Sequence, residues 1–436
     1  MPEQAPTADD GANAVANAGQ NDRLDLPAEA IADPGAFARP QAIIDLYARL
    51  RRDAPVIRVE PEGCPSLWLV TRHDDIKAIE NDPATFLAGP RTILQTLEQE
   101  RVNKENFGDI NGLKTLVHMD GEEHLKHRII AQSFFSKTNI DKLRIQTTNQ
   151  ADFFIDRMAA LGGECDFAGD VAFWFPLRVV LSIMGVPAAD DEKILKLTQA
   201  LFGFMDPDLG QGQDLGEMGV VKVIGDFSAY VTELIARKRS APGNDLASVL
   251  ANAEIDGQPI DPFKQLSYFI LVVTAGHDTT SASIAEGMRA LTEDPEALAR
   301  LKADPALCAN AADEFIRLAA PVKHFLRTPT KDVEIAGVRI AAGETIMLAY
   351  PSAARDEAIF TNPDRVTVDR PINQHLAFGH GPHVCLGKHL ARMETEIFFQ
   401  RLLPRLASIE LDGPVSYMEG AFVSGIKRMP VRYKMT

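Results

Sequence analysis

One segment of the sequence predicts a helix long enough to cross the whole protein. It begins at Asp261-Pro262, where an aspartate can cap the helix and a proline suits its first position, and it runs to Leu291. About 30 residues at about 1.5 Å each give a rod of roughly 45 Å. Its middle is apolar on nearly every face, so protein must surround it. We therefore expect a mainly α fold with a minor β part, built around this helix.

The β part is predicted in two regions. Residues 56–60 and 67–71 are largely apolar segments on either side of a turn with proline and glycine, which indicates a hairpin. Three short apolar segments at 333–335, 338–340 and 345–348 are separated by Gly-containing turns and predict a small meander. Residues 1–25 are rich in Ala, Asn, Asp and Gly and predict a disordered tail, which leaves 26–436 as a single domain.

Charge and cysteine content exclude several classes of protein. With 45 Lys and Arg against 61 Asp and Glu, the formal net charge is −16, so nucleic acid and anionic membranes are not expected partners. Four cysteines with no C-x-x-C pair exclude a disulfide scaffold and a zinc ribbon. The N-terminus has no signal-peptide pattern, and the longest apolar run, Tyr268–Gly276, is about half a membrane span. We expect a cytoplasmic protein.

A single cysteine stands in a glycine-rich segment that leads into a helix. Residues 378–387 read Phe-Gly-His-Gly-Pro-His-Val-Cys-Leu-Gly, and helical periodicity begins at Lys388. Free N–H groups at a helix start favour a thiolate over a thiol, and glycines let the backbone approach a flat ligand closely. A thiolate among backbone donors is a good axial ligand for haem iron. A lone cysteine would more often have a buried structural role, but the full ten-residue pattern favours the ligand.

Polar residues interrupt the middle of the long helix at Ala275-Gly276-His277-Asp278-Thr279-Thr280. Threonine side chains can take over backbone hydrogen bonds and bend a helix, which would leave room for a small molecule and a water. A hydroxyl with a carboxylate behind it can deliver protons into an apolar pocket. The alternative is a threonine-rich kink with an aspartate that points to the surface. For His277 we expect a core or polar-contact role.

These two segments together resemble the cytochrome P-450 family of haem-thiolate monooxygenases. The first matches the F-G-x-G-x-H-x-C-x-G loop through Phe378, Gly379, Gly381, His383, Cys385 and Gly387, and the second is similar to the A-G-x-D/E-T-T signature. The resemblance covers nearly the whole chain after the tail. It is closest to the soluble bacterial ferredoxin-dependent type and its terpineol-hydroxylating branch. It implies the P-450 fold, with the long helix crossing over the haem.

The resemblance also implies roles for individual residues. Cys385 would be the proximal ligand of haem b, and Asp278 and Thr279 would be the acid and the alcohol of oxygen activation. Glu314 and Arg317 would form a buried pair locked to Arg370, which shapes the proximal side. Further contacts to haem, including those to its propionates, are expected from His124, Arg128, Arg327, Phe378, His383 and Gly387.

Apolar segments along the chain predict a pocket for a small hydrophobic substrate such as a terpenoid, an aromatic or another hydrocarbon. Residues 205–219 carry Gly, Asp and Pro and predict a mobile lid. The candidate pocket walls are the 87–107 loop, Phe202, Phe204, Val272, Val273, Ala275, Val322, Phe325, Phe422 and Val423.

A chain of 436 residues leaves no room for a reductase domain beside this fold. Electrons from NAD(P)H are therefore expected through a separate iron–sulfur ferredoxin and its reductase. A basic patch would steer the ferredoxin by complementary charge, and its members would be Lys126, Arg128, Lys388 and Arg392. The predicted reaction inserts one atom of O2 into the substrate. A peroxide-driven peroxygenase is the first alternative, which the intact Asp278–Thr279 pair disfavours, and a non-catalytic haem protein is the second.

Overall fold

The structure, a computed structural model, describes residues 26–112, 114–202, 216–371 and 373–436. The predicted tail at 1–25 lies outside the described residues. Phe204 also lies outside the described residues, together with the side chain of Phe202 and residues 205–215 of the predicted lid.

Helices make up most of the described chain, as the sequence predicts. In chain order they are α1 (Pro34–Phe37), α2 (Pro40–Asp53), α3 (His73–Glu80), α4 (Leu97–Phe107), α5 (Gly121–Gln132), α6 (Lys137–Lys142), α7 (Arg144–Ala160), α8 (Trp174–Ile183), α9 (Asp191–Phe202), α10 (Gly216–Ser240), α11 (Leu246–Ala251), α12 (Pro262–Glu293), α13 (Pro295–Ala303), α14 (Cys308–Ala319), α15 (Tyr350–Ala353) and α16 (Lys388–Leu402). No described helix is both long enough and apolar enough to cross a bilayer.

The long helix α12 is the central element of the fold. The Asp261 carboxylate caps it by accepting from the backbone N–H groups of Phe263 and Lys264, at 2.9 and 3.2 Å. The helix extends two residues beyond the predicted end at Leu291 and packs against α8, α10, α14 and α16. Because most of its side chains are buried, the prediction of a helix that crosses the core is confirmed.

The strands form one five-stranded sheet and several small ones. They are β1 (Val56–Val59), β2 (Leu67–Val70), β3 (Phe86–Leu87), β4 (Glu164–Asp166), β5 (Glu254–Ile255), β6 (Gln258–Pro259), β7 (His324–Pro329), β8 (Val333–Ile335), β9 (Val338–Ile340), β10 (Ile346–Ala349), β11 (Leu406–Leu411), β12 (Ser416–Tyr417), β13 (Ile426–Arg428) and β14 (Pro430–Met435). The large sheet has the order β1-β2-β10-β7-β3, and β1 and β2 form the predicted antiparallel hairpin.

The predicted meander is wrong in its third strand. Strands β8 and β9 pair with each other, but β10 lies in the large sheet, parallel to β2 and antiparallel to β7. The reason is burial. All four residues of β10 are buried, and only a central position in a covered sheet buries both faces of a strand.

Hydrophobic side chains form one large core and two smaller ones. The large core surrounds α12 and includes residues of α7, α8, α10, α14 and α16, and the smaller cores pack against the large sheet. The cysteine segment, residues 378–387, lies at the start of α16 and contacts the end of α3. It therefore lies where the helical core meets elements that belong to the sheet region.

Candidate active site

The cysteine segment folds as a tight loop whose backbone only glycine can adopt at two positions. Gly379 and Gly381 have φ angles of +66° and +64°. A Cβ atom at Gly381 would overlap the carbonyl oxygen of Glu80, which places α3 directly against the loop. The N–H of Cys385 donates to the carbonyl oxygen of Phe378 at 2.8 Å and closes the loop. Gly387, with φ of −84°, has an ordinary backbone conformation.

The sulfur of Cys385 lies deep in the protein but faces an open space. Burial raises the pKa of its thiol, whereas the Gly387 N–H, Arg128, Lys388 and Arg392 act to lower it. The net shift is upward, because desolvation outweighs these groups. The residue nevertheless has exposed surface. A metal cation at this sulfur would reverse the balance and hold it deprotonated.

Four cationic or ionisable side chains converge beside the loop. The His124 and His383 rings stack with centroids 4.1 Å apart, and the Arg128 Nη2 donates to the Val384 carbonyl oxygen at 2.7 Å. Burial and the nearby Arg327, His124 and Arg128 lower the pKa of His383 to about 3. Two guanidinium groups and two imidazole rings that can donate hydrogen bonds suit an anionic ligand, and the carboxylates of haem fit this cluster.

One member of this region, Glu80, has no signal in the sequence. Its Oε1 accepts from the Tyr350 hydroxyl at 2.7 Å and lies 3.6 Å from the Arg327 Nη2, whereas its Oε2 is buried without a partner. Burial raises the pKa of Glu80 to about 7. Glu80 is the last residue of a short helix, and its partner Tyr350 is 270 residues away in the chain. No local pattern could therefore have identified it.

Glu314, Arg317 and Arg370 meet in a buried ionic network. The Glu314 carboxylate accepts from Arg317 at 2.8 Å through each oxygen and from Arg370 at 2.9 and 3.0 Å. Burial acts to raise the pKa of Glu314, but the two guanidinium groups bring it below its usual value. Both guanidinium groups also lie over the ring of Phe360. Because Glu314 and Arg317 are fully buried, each charge depends on its partners.

The polar segment of α12 lies in a continuous helix. The Thr279 hydroxyl donates to the Ala275 carbonyl oxygen at 2.7 Å, within the helix. Gly276 does not widen the helix for a ligand, because a Cβ there would lie 2.9 Å from the Val180 side chain of α8. Ala275, however, is exposed although most of α12 is buried. An exposed residue in the middle of a core helix indicates an internal space beside it.

The acid of this segment stands next to a buried histidine. The Asp278 carboxylate is partly exposed and lies 3.1 Å from the Nδ1 of His277, without the geometry of a hydrogen bond. His277 is fully buried, its Nε2 is 3.1 Å from the Phe173 carbonyl oxygen, and its ring meets the Phe173 ring edge-on. This is the polar-contact arrangement expected for His277.

The structure divides the predicted pocket residues into two groups. Phe325 and Phe422 contact each other edge-on at 5.5 Å between centroids. Val322 forms a bridge with Val423, next to Phe422. Val272 shares the helix face of Ala275 and Thr279 and keeps slight exposure.

Val273 is fully buried in the core and is removed from the set of pocket residues. Because residues four apart lie on the same side of a helix, Val273 shares the side of His277 and points away from Ala275.

The predicted basic patch is largely compensated by acidic neighbours. The Lys126 Nζ lies 2.8 Å from Glu122 and 2.7 Å from Asp256. The Arg392 Nε is 2.6 Å from Asp313, and its guanidinium group lies over the Phe378 ring. Lys388 has no ion pair in the part of the chain that the structure describes. The four cations therefore do not act as four free charges.

Comparisons with known proteins agree with this geometry. The Cytochrome P-450 family model matches residues 306–433. Cytochrome P-450-terp of a Pseudomonas species is 37% identical over 408 residues, which are 92% of this chain and 95% of that protein. Linalool 8-monooxygenase of Pseudomonas putida is 30% identical, over 89% of this chain and 94% of its own. The crystal structure of CYP108D1 from Novosphingobium aromaticivorans superposes with a TM-score of 0.88 and 38% identity, covering 94% of this chain and 99% of that chain.

A cysteine on a glycine-rich loop, a cationic cluster and a long helix beside an internal space define the class of haem-thiolate enzymes. The identity to cytochrome P-450-terp over nearly the full length shows that the chain belongs to the cytochrome P-450 family. Proteins of this family bind haem through a cysteine thiolate and take electrons from NAD(P)H through partner proteins. The chain is therefore a cytochrome P-450 monooxygenase, as predicted.

Proposed function

We propose that this monooxygenase hydroxylates a small terpenoid, with electrons supplied by a separate ferredoxin. The observation that carries the proposal is the exposure of Ala275 in the middle of the otherwise buried α12. A helix with one exposed face inside the core lines a cavity, and here that face carries the apolar Ala275 together with Thr279 and the partly exposed Asp278. Two relatives support the terpenoid class, since one is named cytochrome P-450-terp and the other acts on linalool, a terpene alcohol.

The proposed substrate space has apolar walls. Val272 and Ala275 would form the α12 side, and Val322, Phe325 and Phe422 the opposite side. None of these side chains carries a charge, so the free energy of binding would come from burying the hydrocarbon surface of the substrate. An uncharged ligand with at most one hydroxyl suits this lining.

The chain's own residues would hold haem from one side. Cys385 would ligate the iron, and His124, Arg128, Arg327 and His383 would bind the propionates. Phe378 and Gly387 would contact haem from within the loop. Bound haem supplies the iron at which O2 is activated. The Glu314, Arg317 and Arg370 network would fix the shape of the protein beneath the loop, which explains why three charges are buried together.

Thr279 and Asp278 would move protons to the reaction site. The Thr279 hydroxyl uses its proton in the bond to Ala275, so its oxygen lone pairs remain free to accept a hydrogen bond from a water in the cavity. Asp278 is partly exposed and can exchange protons with solvent. Thr279 would thus fix the water, and Asp278 would supply its proton.

Electrons would arrive on the side of the protein that carries the cysteine loop. A small iron–sulfur ferredoxin is the proposed donor, and Lys126, Arg128, Lys388 and Arg392 lie on this side. Arg128 contacts the residue before Cys385, and Lys388 begins the helix that follows it. A partner that docks here would have the shortest path to the sulfur.

Substrate titration tests the proposed function. The purified holoprotein is titrated with monocyclic and acyclic terpenoids, fused aromatics, alkylbenzenes and alkanes while the spin-state shift of the haem spectrum is recorded. We expect the largest shift with a terpenoid, and NAD(P)H consumption with a hydroxylated product only when ferredoxin and reductase are present. Turnover with hydrogen peroxide but not with the redox partners would contradict the proposal, and so would a shift restricted to alkanes.

A further inference from the structure

We propose that His324 is a positioning residue that limits the size of the substrate by joining two loops of the proposed pocket. This inference rests on the proposed function, because it concerns the same pocket. The first loop, residues 88–96, connects β3 to α4, and the second loop, residues 421–424, lies between β12 and β13. His324 is the first residue of β7 and is only 1% exposed. We call its ring and the two loop residues bonded to it the His324 bridge.

Each nitrogen of the His324 ring is bonded to a different loop. The Leu94 backbone N–H donates to Nε2 at 3.0 Å, and the ring also hydrogen-bonds the backbone of Ala421. Because Nε2 accepts, the proton of the neutral ring lies on Nδ1, and this nitrogen donates to the Ala421 carbonyl oxygen. Burial lowers the pKa of His324 to about 4, so the ring is neutral at neutral pH. Both nitrogens of a buried ring are therefore used to hold backbone.

The His324 bridge lies behind the pocket wall. Neighbouring residues of a strand point to opposite faces, so His324 faces one side of β7 and Phe325 faces the other. Leu94 and Ala421 pack against the small core that contains Leu326. Leu326 is on the His324 face, whereas Phe325 packs against the other small core. His324 would therefore act on the pocket through its partners, without contact to the substrate.

Phe422 connects the His324 bridge to the pocket. Its ring meets the His324 ring with centroids 5.6 Å apart and the Phe325 ring with centroids 5.5 Å apart, both edge-on. Phe422 also follows Ala421 in the chain, so a displaced His324 ring would move the Phe422 side chain. Phe422 and Phe325 are proposed pocket walls, and their distance from α12 limits the width of a ligand.

Backbone bonds support the two loops unequally. The second loop has two backbone hydrogen bonds to the segment before His324, at 2.8 and 3.1 Å, which do not involve the histidine ring. Among the described residues, the first loop has one backbone bond to β7, from the Leu326 N–H to the Thr92 carbonyl oxygen at 2.8 Å. The position of Leu94 therefore depends more on His324 than the position of Ala421 does.

The His324 bridge selects against large ligands. A molecule too wide for the space between Phe422 and α12 must displace Phe422, which breaks a hydrogen bond of the bridge and leaves a buried polar group without a partner. A ligand that fits leaves the bridge intact. Specificity of this kind comes from a cost imposed on the wrong ligand. The substrate class that we infer is a compact hydrocarbon skeleton, such as a monocyclic terpenoid, and not a polycyclic one.

Azoles of different size test the His324 bridge, because they bind haem iron whether or not the natural substrate is a terpenoid. The Kd values of 4-phenylimidazole and of the bulkier clotrimazole are measured from the haem spectra of wild-type and His324→Phe holoprotein. Phenylalanine keeps a ring but removes both hydrogen bonds. We expect the ratio of the Kd of clotrimazole to that of 4-phenylimidazole to fall about tenfold or more. Deuterium exchange at the Leu94 amide should rise in the same variant. An unchanged ratio would overturn the proposal.

Two amide variants separate the contributions of the two loops. Glutamine can place an oxygen near the position of Nε2 and accept from Leu94, whereas asparagine can place an N–H near the position of Nδ1 and donate to Ala421. Since Leu94 depends more on the bridge, His324→Gln should recover most of the wild-type Kd ratio, and His324→Asn should not. The reverse order would contradict the proposal. These two variants carry the test if His324→Phe yields no holoprotein.

His73→Phe is the matched control. His73 is also 1% exposed, its Nε2 lies 2.9 Å from the Gln374 carbonyl oxygen, and neither residue belongs to the proposed pocket walls. This replacement should lower the melting temperature but leave the Kd ratio within about twofold of the wild type. If the ratio falls equally in both phenylalanine variants, it follows stability, and the proposal fails. If His324→Phe lowers the ratio but no terpenoid gives a spin-state shift, the proposed function fails and the His324 bridge stands.

Discussion

Polar groups have many hydrogen-bond partners on the cysteine-loop side of the protein and few in the middle of α12. On the loop side, Glu314 accepts hydrogen bonds from Arg317, Arg370, Asn373 and the Thr367 N–H, all within 3.0 Å. In α12, Thr279 donates only to a carbonyl oxygen of its own helix, and the adjacent Ala275 surface is open. The first region is built to stay fixed. The second leaves atoms available for molecules that enter and leave.

This difference has a physical cause. A buried charge is tolerated only when partners surround it, so the loop side gains rigidity from the hydrogen bonds around Glu314. A hydroxyl that is bonded to its own helix is satisfied without a tertiary partner and can still accept from a transient ligand. Changes on the loop side should therefore affect stability, whereas changes in α12 should affect chemistry.

The largest effect is expected from Glu314→Gln. The replacement leaves Arg317 and Arg370 buried without their counter-charge, which costs about 3–5 kcal/mol. We expect little folded holoprotein, or a melting temperature far below that of the wild type, as measured by calorimetry and by haem content. Arg300→Gln is the control, because its pair with Asp369 is exposed and should contribute at most about 1 kcal/mol. Equal melting temperatures for both variants would show that the network is not structural.

On the loop side, Glu80 has a buried carboxylate oxygen without a partner, and its ionisation predicts a pH dependence. Its pKa is raised to about 7 in the folded protein and is near the ordinary value of 4.5 in the unfolded chain. The folded state therefore binds more protons between these values, so Glu80 makes stability fall as pH rises from about 4.5 to 7, by about 3 kcal/mol. Above pH 7 its contribution is constant.

Glu80→Gln should remove this slope. The melting temperature of the variant, relative to the wild type, is expected to rise between pH 5 and pH 8, because glutamine stays neutral where glutamate must ionise in a buried site. The comparison is made on holoprotein by calorimetry at several pH values. If the difference in melting temperature between the variant and the wild type is constant with pH, Glu80 does not ionise between pH 5 and pH 8. That result would contradict the raised pKa of this buried carboxyl.

Thr279→Ala should change chemistry without changing stability. Loss of the hydroxyl removes the site that fixes the water, so product formed per NAD(P)H should fall about tenfold or more while hydrogen peroxide release rises. Ser283→Ala is the matched control, since the Ser283 hydroxyl makes the same kind of bond to a carbonyl oxygen one turn back but is buried. If both variants couple NAD(P)H to product equally well, Thr279 has no part in the proton path.

The smallest expected effect separates two neighbouring positions of α12. Ala275→Val fills the open space and should weaken terpenoid binding several-fold in the spin-state titration, with little change in stability. Val273→Ala removes buried methyl groups and should cost about 2 kcal/mol in unfolding while the substrate Kd stays the same. The reverse pattern would mean that the cavity lies on the other face of the helix.

Sequence alone was sufficient where the determinants are local. The Asp261-Pro262 start of α12, the β1–β2 hairpin and the helix that begins at Lys388 each follow from a few adjacent residues. It was insufficient where the partner is distant in the chain. Glu80, the pairing of Lys126 with Asp256 and the central position of β10 depend on contacts across 100 residues or more.

Periodicity would have corrected one error. Val273 stands one residue from Val272, and a helical wheel places the two on different sides of α12. The raised pKa of Cys385, in contrast, could not have been predicted from periodicity. It depends on desolvation, and the extent of desolvation depends on how much protein surrounds the loop. A sequence motif carries no measure of that.

The reduced carbonyl spectrum of the holoprotein tests the central claim most directly, because its band position reports the ligand opposite carbon monoxide. We expect the wild type to show the long-wavelength band of a thiolate ligand and Cys385→Ser to lose it. The histidine and arginine cluster should still retain some haem in the variant. A thiolate band that persists in Cys385→Ser, or a wild type that lacks the band, would contradict the assignment of this sulfur as the iron ligand.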